Sequence, residues 1–136
     1  MSFEVAKNKA IKYVGISRKT EQEVYRKLKT QGFDEDIIME VIEYLKELGY
    51  INDDDYVDAY IRQCMRLLDY STYEIRQKLL QKGINKYIID DKVGTLEESD
   101  YNDLLLNKLL NGKCKNMDDL KKKQYLFRRG LKYFED

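Results

Sequence analysis

Apolar residues recur along the chain at intervals of three and four. Phe3, Ala6, Ala10 and Tyr13 form one stripe, Val24 and Leu28 a second, and Ile37, Ile38, Val41, Ile42 and Leu45 a third. Tyr56, Val57, Tyr60, Ile61, Cys64, Met65 and Leu68 make a broader stripe, and Leu105, Leu109 and Leu110 mark a later one. No segment of useful length alternates with period two, so the pattern predicts helices and no sheet. Two helix starts are explicit. Thr20-Glu-Gln-Glu23 and Ser71-Thr-Tyr-Glu74 fit the capping box, in which a hydroxyl and a carboxylate each satisfy a free backbone N–H.

Glycine sets the rhythm. Gly15, Gly32, Gly49 and Gly83 fall on a spacing of 17 with one place skipped at Arg66, and Gly94, Gly112 and Gly130 follow at intervals of 18. Such a spacing holds a helix of about three turns and a short connection, with glycine in the left-handed position after each helix. A shift of 51 superposes Thr20 on Ser71, Glu23 on Glu74, Leu28 on Leu79, Gly32 on Gly83 and Ile38 on Ile89. Three helices therefore form the repeated unit. A weaker third copy sits 47 residues further on, with Leu126, Gly130 and Leu131 matching Leu79, Gly83 and Ile84. The expectation is an all-α chain of tandem three-helix repeats over residues 1–50 and 51–98, then a partial, basic third repeat of two helices over 99–136. Stacked repeats touch mainly their neighbours, so an elongated array is expected.

Composition removes several functions. Of the 136 residues none is histidine, which takes away the usual general base and the commonest metal ligand. Cys64 and Cys114 form no Cys-x-x-Cys pair, so neither a zinc site nor a disulfide framework is expected. Cys64 reads as a core filler. Cys114 lies between Lys113 and Lys115 in a basic loop, where its pKa would be lowered. Asn52-Asp-Asp-Asp55 lacks the spacing of a calcium loop and reads as a helix start. No catalytic residue, metal or cofactor is assigned. No apolar run approaches the roughly 20 residues of a membrane span, and the N-terminus carries no leader pattern, so a cytosolic protein without a membrane partner is expected.

Charge is balanced overall, 25 cations against 25 acids, but unevenly placed. Residues 1–50 hold nine of each, residues 51–100 seven cations against eleven acids, and residues 101–136 nine against five. Arg62 and Arg66 are four apart, as are Lys78 and Lys82, and each pair shares a helical face. Lys121, Lys122 and Lys123 with Arg128 and Arg129 form the densest cluster, with few acids nearby in sequence. The plain alternative is a solvated face with local ion pairs, because Asp58 stands four before Arg62 and Glu74 four before Lys78. Tyr13, Tyr44, Tyr56 and Tyr60 lie on apolar stripes. Tyr70, Tyr73 and Tyr125 adjoin basic residues and are available to bases or to a protein partner.

Lys19-Thr20-Glu-Gln-Glu23-Val24, Lys27-Leu28 and above all the run from Leu48-Gly49-Tyr50-Ile51-Asn52 through Tyr60 resemble the RecX regulators of the bacterial recombinase RecA. Arg76-Gln-Lys78-Leu79-Leu-Gln-Lys82-Gly83-Ile84 and Phe127-Arg128-Arg129-Gly130-Leu131 are similar to that family's later repeats, although phenylalanine usually stands where this chain has Leu131. The resemblance implies a curved helical array and a non-enzymatic role. It implies lodging in the groove of the RecA–single-stranded-DNA filament and limiting the filament's growth or activity; a monomer is expected. The basic positions read from spacing and charge as the binding surface are Arg62, Arg66, Arg76, Lys78, Lys82, Lys121, Lys122, Arg128 and Arg129. Zero net charge predicts weak binding to bare DNA, because counterion release needs many uncompensated cations. Two other readings stand beside it. One is a helix-turn-helix-like DNA-binding protein with Arg76, Lys78 and Lys82 near phosphates or bases, and the other is a helical adaptor for an unrelated protein.

Overall fold

Most positions of the predicted stripes turn inward, Met65 being exposed, along eight helices among residues 2–133, which the computed structural model describes. These are α1 (Phe3–Ile16), α2 (Glu21–Thr30), α3 (Glu35–Glu47), α4 (Asp53–Leu67), α5 (Thr72–Gln81), α6 (Lys86–Glu98), α7 (Tyr101–Asn111) and α8 (Asp119–Arg128). No strand occurs among the described residues. The expected third repeat runs beyond them, since positions 134–136 lie outside the described residues.

Two compact units share the chain. The first runs through Val57 and includes Gln81–Ile84; the second comprises Asp58–Leu80 and the chain from Asn85 onward. In the first unit α3 packs on both α1 and α2. Its core holds Ala6 and Ala10 of α1, Val24 and Leu28 of α2, and Ile38, Val41, Ile42 and Leu45 of α3. The two alanines let α1 approach closely, and the branched side chains of α3 fill the space between helices. In the second unit Leu105, Leu109, Cys114, Leu126 and Leu131 form a core around α7 and α8. Cys64, Ile75, Leu79, Ile89 and Val93 are also buried. Cys114, which the sequence places in a basic loop between two lysines, is fully buried in this core. Lys113 Nζ lies 5.4 Å from the centre of the Tyr125 ring. Burial pushes the Cys64 thiol up to about 11.

Both capping boxes form, and each does a second task. In the first unit Thr20 Oγ1 accepts from Glu23 N at 3.1 Å while Glu23 Oε1 accepts from Thr20 N at 3.0 Å. The same hydroxyl donates to the carbonyl of Lys82 at 2.7 Å, and Asp53 Oδ1 accepts from Glu21 N at 3.0 Å. The second unit repeats this. Ser71 Oγ accepts from Glu74 N at 3.2 Å and donates to the Arg129 carbonyl, Glu74 Oε1 accepts from Ser71 N at 2.9 Å, and Asn102 Oδ1 accepts from Thr72 N at 3.1 Å. Thr20 and Ser71 are fully buried, so a hydroxyl that both accepts and donates leaves no polar group unpaired there. The glycine after each carbonyl, Gly83 or Gly130, has positive φ, and its bare Cα rests against Gln22 or Tyr73. We call this arrangement the clasp.

The glycine rhythm holds at Gly32, Gly49, Gly83 and Gly130, all with positive φ. Gly15 and Gly94 instead lie inside α1 and α6, and Gly112 has φ −120°. The place skipped near Arg66 is taken two residues later by Leu68, the one non-glycine residue with positive φ (50°) among those described. A leucine there costs about 1–2 kcal/mol. Its side chain packs against the α7–α8 core, and Lys108 Nζ donates to the carbonyls of Leu67 and Leu68 at 3.2 and 2.9 Å, which offsets the strain.

Candidate binding surface

The nine basic positions fall into three kinds. Arg76 and Arg129 are held by the protein itself. Arg76, on α5, donates from Nη1 to Asp90 at 2.6 Å and from Nη2 to Glu97 at 2.7 Å, bridging two turns of α6. These hydrogen bonds raise the guanidinium pKa above its ordinary value, that with Glu97 the most. Arg129 donates from Nε to Glu74 at 2.9 Å, from Nη1 to Tyr125 Oη at 2.7 Å, and from Nη2 to the Asp69 carbonyl. Its side chain is only 19% exposed. Burial lowers its pKa, yet the bonds to Glu74 and Tyr125 outweigh that and leave it raised.

Lys78 and Lys82 are half-committed. Lys78 Nζ lies 4.5 Å from the centre of the Tyr70 ring, a cation–π contact. Lys82 Nζ stands 3.9 Å from Glu23 and 5.9 Å from the centre of the Tyr56 ring. Burial lowers its pKa, but the hydrogen bond it donates to Tyr56 and the nearby acids leave the net shift upward. The two share a helical face in the sequence, yet Lys82 belongs to the first unit and Lys78 to the second.

Arg62, Arg66, Lys121 and Arg128 are exposed and Lys122 half-exposed. Among the described residues none of these five forms an ion pair. The local pairs proposed from sequence do not form. Asp58 reaches Lys92 at 2.8 Å instead of Arg62, and Glu74 reaches Arg129 instead of Lys78. The C-terminal cluster, expected to have few acidic partners, thus has one at Arg129, supplied from 55 positions earlier in the chain.

Sequence reasoning missed the carboxylates that hold Arg76 and Arg129. The signal was present for one of them. The shift that placed Glu23 on Glu74 and the one that placed Gly83 on Gly130 together set Lys82–Glu23 beside Arg129–Glu74. The Asn52–Asp55 run behaves as helix-start chemistry. Asn52 Oδ1 accepts from Asp55 N at 3.1 Å, and Asp53 caps α2. Tyr56 is buried, while Tyr70 and Tyr73 are 38% and 51% exposed, the Tyr70 ring beneath Lys78 and Tyr73 against Gly130. No helix among the described residues is long and apolar enough to cross a membrane.

Repeated three-helix units, a clasp within each compact unit, and exposed cations without ion-pair partners among the described residues define an all-α helical-repeat protein. Residues 6–45 match the family model described as the first three-helix domain of RecX, and residues 52–92 match the second. The chain belongs to the RecX family. Regulatory protein RecX of Clostridium perfringens (strain 13 / Type A) is 38% identical over 130 residues, an alignment that covers 93% of this chain and 60% of that protein. Regulatory protein RecX of Clostridium acetobutylicum is 32% identical over 144 residues, covering 98% of this chain and 66% of its relative. The chain thus spans about three-fifths of the length of the first of these relatives. The crystal structure of RecX from Lactobacillus salivarius superposes with a TM-score of 0.78 at 29% identity, covering 96% of this chain and 89% of that one.

Proposed function

We propose that the chain is a non-enzymatic, cytoplasmic regulator of RecA that binds the RecA–single-stranded-DNA filament as a monomer and restrains recombination and repair. The match of two RecX three-helix domains, over residues 6–45 and 52–92, carries this reading. The surface is a composite one, in which protein contacts supply specificity and the cations meet phosphates within the filament. Balanced charge, 25 against 25, supports weak binding to bare DNA. The proposed contacts divide by availability. Arg62, Arg66, Lys121, Lys122 and Arg128 act directly, Lys78 and Lys82 contribute from their aromatic neighbours, and Arg76 and Arg129 mainly hold the helices that carry the others.

The test is RecA ATP hydrolysis on single-stranded DNA with and without the purified chain. Inhibition is expected, and it should weaken when Lys121, Lys122 and Arg128 are all changed to glutamate with helicity intact. It should weaken less at high salt, where exposed charges are screened. An unchanged ATPase rate at saturating protein would overturn the proposal. Helix-turn-helix binding to duplex DNA has less support, because two of its three basic residues, Arg76 and Lys82, face carboxylates of the chain itself.

A further inference from the structure

The first unit carries a shallow groove of about 430 Å³ between α1 and α3, lined by Phe3, Met39, Glu40, Glu43, Tyr44 and Glu47. Its floor is apolar. The Phe3 and Tyr44 rings meet edge to face with centroids 6.0 Å apart, and Met39 is 44% exposed. Its rim is acidic. Glu40, Glu43 and Glu47 follow one another at three and four residues and so share one face of α3, and Asp36 continues that line one turn earlier. Lys46 lies 3.7 Å from Glu43 but also 3.6 Å from Glu21, while Glu40 and Glu47 have no ion-pair partner among the described residues. Lys7, paired with Glu4 at 2.9 Å, sets its Nζ 5.9 Å from the centre of the Phe3 ring and 5.3 Å from that of Tyr44, while the residues lining the groove itself include no cation.

We propose that this groove docks a basic protein segment that seats apolar side chains on Phe3, Met39 and Tyr44 and sets its lysines or arginines against Glu40, Glu43 and Glu47. Charge complementarity selects the occupant. Three carboxylates repel a phosphate backbone, and a neutral apolar peptide would gain nothing from the rim. An amphipathic basic helix matches both features, because its own three-and-four spacing mirrors the acidic face of α3. Methionine suits such a surface, since its unbranched, polarisable side chain adapts to the shape of its partner. The exposed position of Met39 is thereby explained as a contact residue.

The experiment uses the whole chain with ¹³C-methyl methionine, in which Met39 reports the groove and Met65 and Met117 serve as internal controls. Three probes are titrated: a 15-residue Lys/Leu peptide with its leucines on one helical face, a scramble of it with the same charge, and oligo(dT). Saturable movement of the Met39 methyl with the amphipathic peptide is expected, with Met65 and Met117 still. The scramble should bind at least about tenfold more weakly, and Glu40→Lys with Glu43→Lys should weaken binding by a similar factor at unchanged melting temperature. Equal binding of the scramble, a stationary Met39 methyl, or an equal response to oligo(dT) overturns the proposal. None of these outcomes depends on RecA, so a failure here is separate from a failure of the regulatory reading.

Discussion

Replacing Gly83 with alanine tests the clasp most directly. Two costs add at this position. Its φ of +80° places any L-residue in the left-handed region, at about 1–2 kcal/mol. The new Cβ would also overlap Cβ of Gln22 and stand 2.5 Å from its Cγ, an overpacking worth about 1–3 kcal/mol. Gly49 separates the two. It lies in the same unit with φ +79°, and a Cβ there meets nothing within 4 Å. Gly49→Ala should therefore show only the backbone cost, and Gly83→Ala an additional ~1–3 kcal/mol. Urea unfolding followed by circular dichroism reads both, with equal slopes required for the comparison. Rescue is specific. Gln22→Ala leaves the offending Cβ in place and should not help, whereas Gln22→Gly should recover part of the loss less about 1 kcal/mol for a glycine within α2. If Gly83→Ala costs no more than Gly49→Ala, the close approach of Gln22 to Gly83 is wrong.

Ser71→Ala should cost more than a simple cap, about 2 kcal/mol, because the hydroxyl also donates to Arg129 O; Ser71→Asp should restore only the capping part, as urea titration of both variants will show. Glu74→Gln and Arg129→Met should couple by about 1 kcal/mol in a double-mutant cycle, since the pair is largely but not fully withdrawn from water. Tyr101 donates to the carbonyls of Cys64 and Tyr70, and burial raises its pKa from 10.0 to about 12. The folded state thus holds the phenolic proton more tightly, so this contribution is complete below pH 10 and is lost as pH rises towards 12. Stability measured at pH 9 and pH 11 should fall more for the wild type than for Tyr101→Phe; an equal fall would remove Tyr101 from the account.

The helices were legible because their causes are local. Three-and-four spacing, the boxes at Thr20 and Ser71, and the 51-residue shift all depend on residues within a turn or on plain repetition, and each of those helices forms. Glycine was a weaker guide. Only a helix that ends in a left-handed turn demands it, so Gly15 and Gly94 ride inside helices while Leu68 turns the chain without it.

The basic surface was legible only as a set of candidates. Sequence determined that the cations exist, that they fall in the second and third repeats, and that nothing in the chain supplies histidine chemistry. Tertiary structure decided which of them are spent. Arg129 finds Glu74 across 55 positions, Arg76 finds Glu97 across 21, and Asp58 prefers Lys92 to the arginine one turn away. An ion pair between helices forms where packing has already fixed both side chains, so little entropy is lost in holding them. A pair one turn apart on an exposed face must immobilise two long chains in water for a few tenths of a kcal/mol. That difference is invisible in the order of residues, and it separates the cations that hold this fold from those left free to meet a partner.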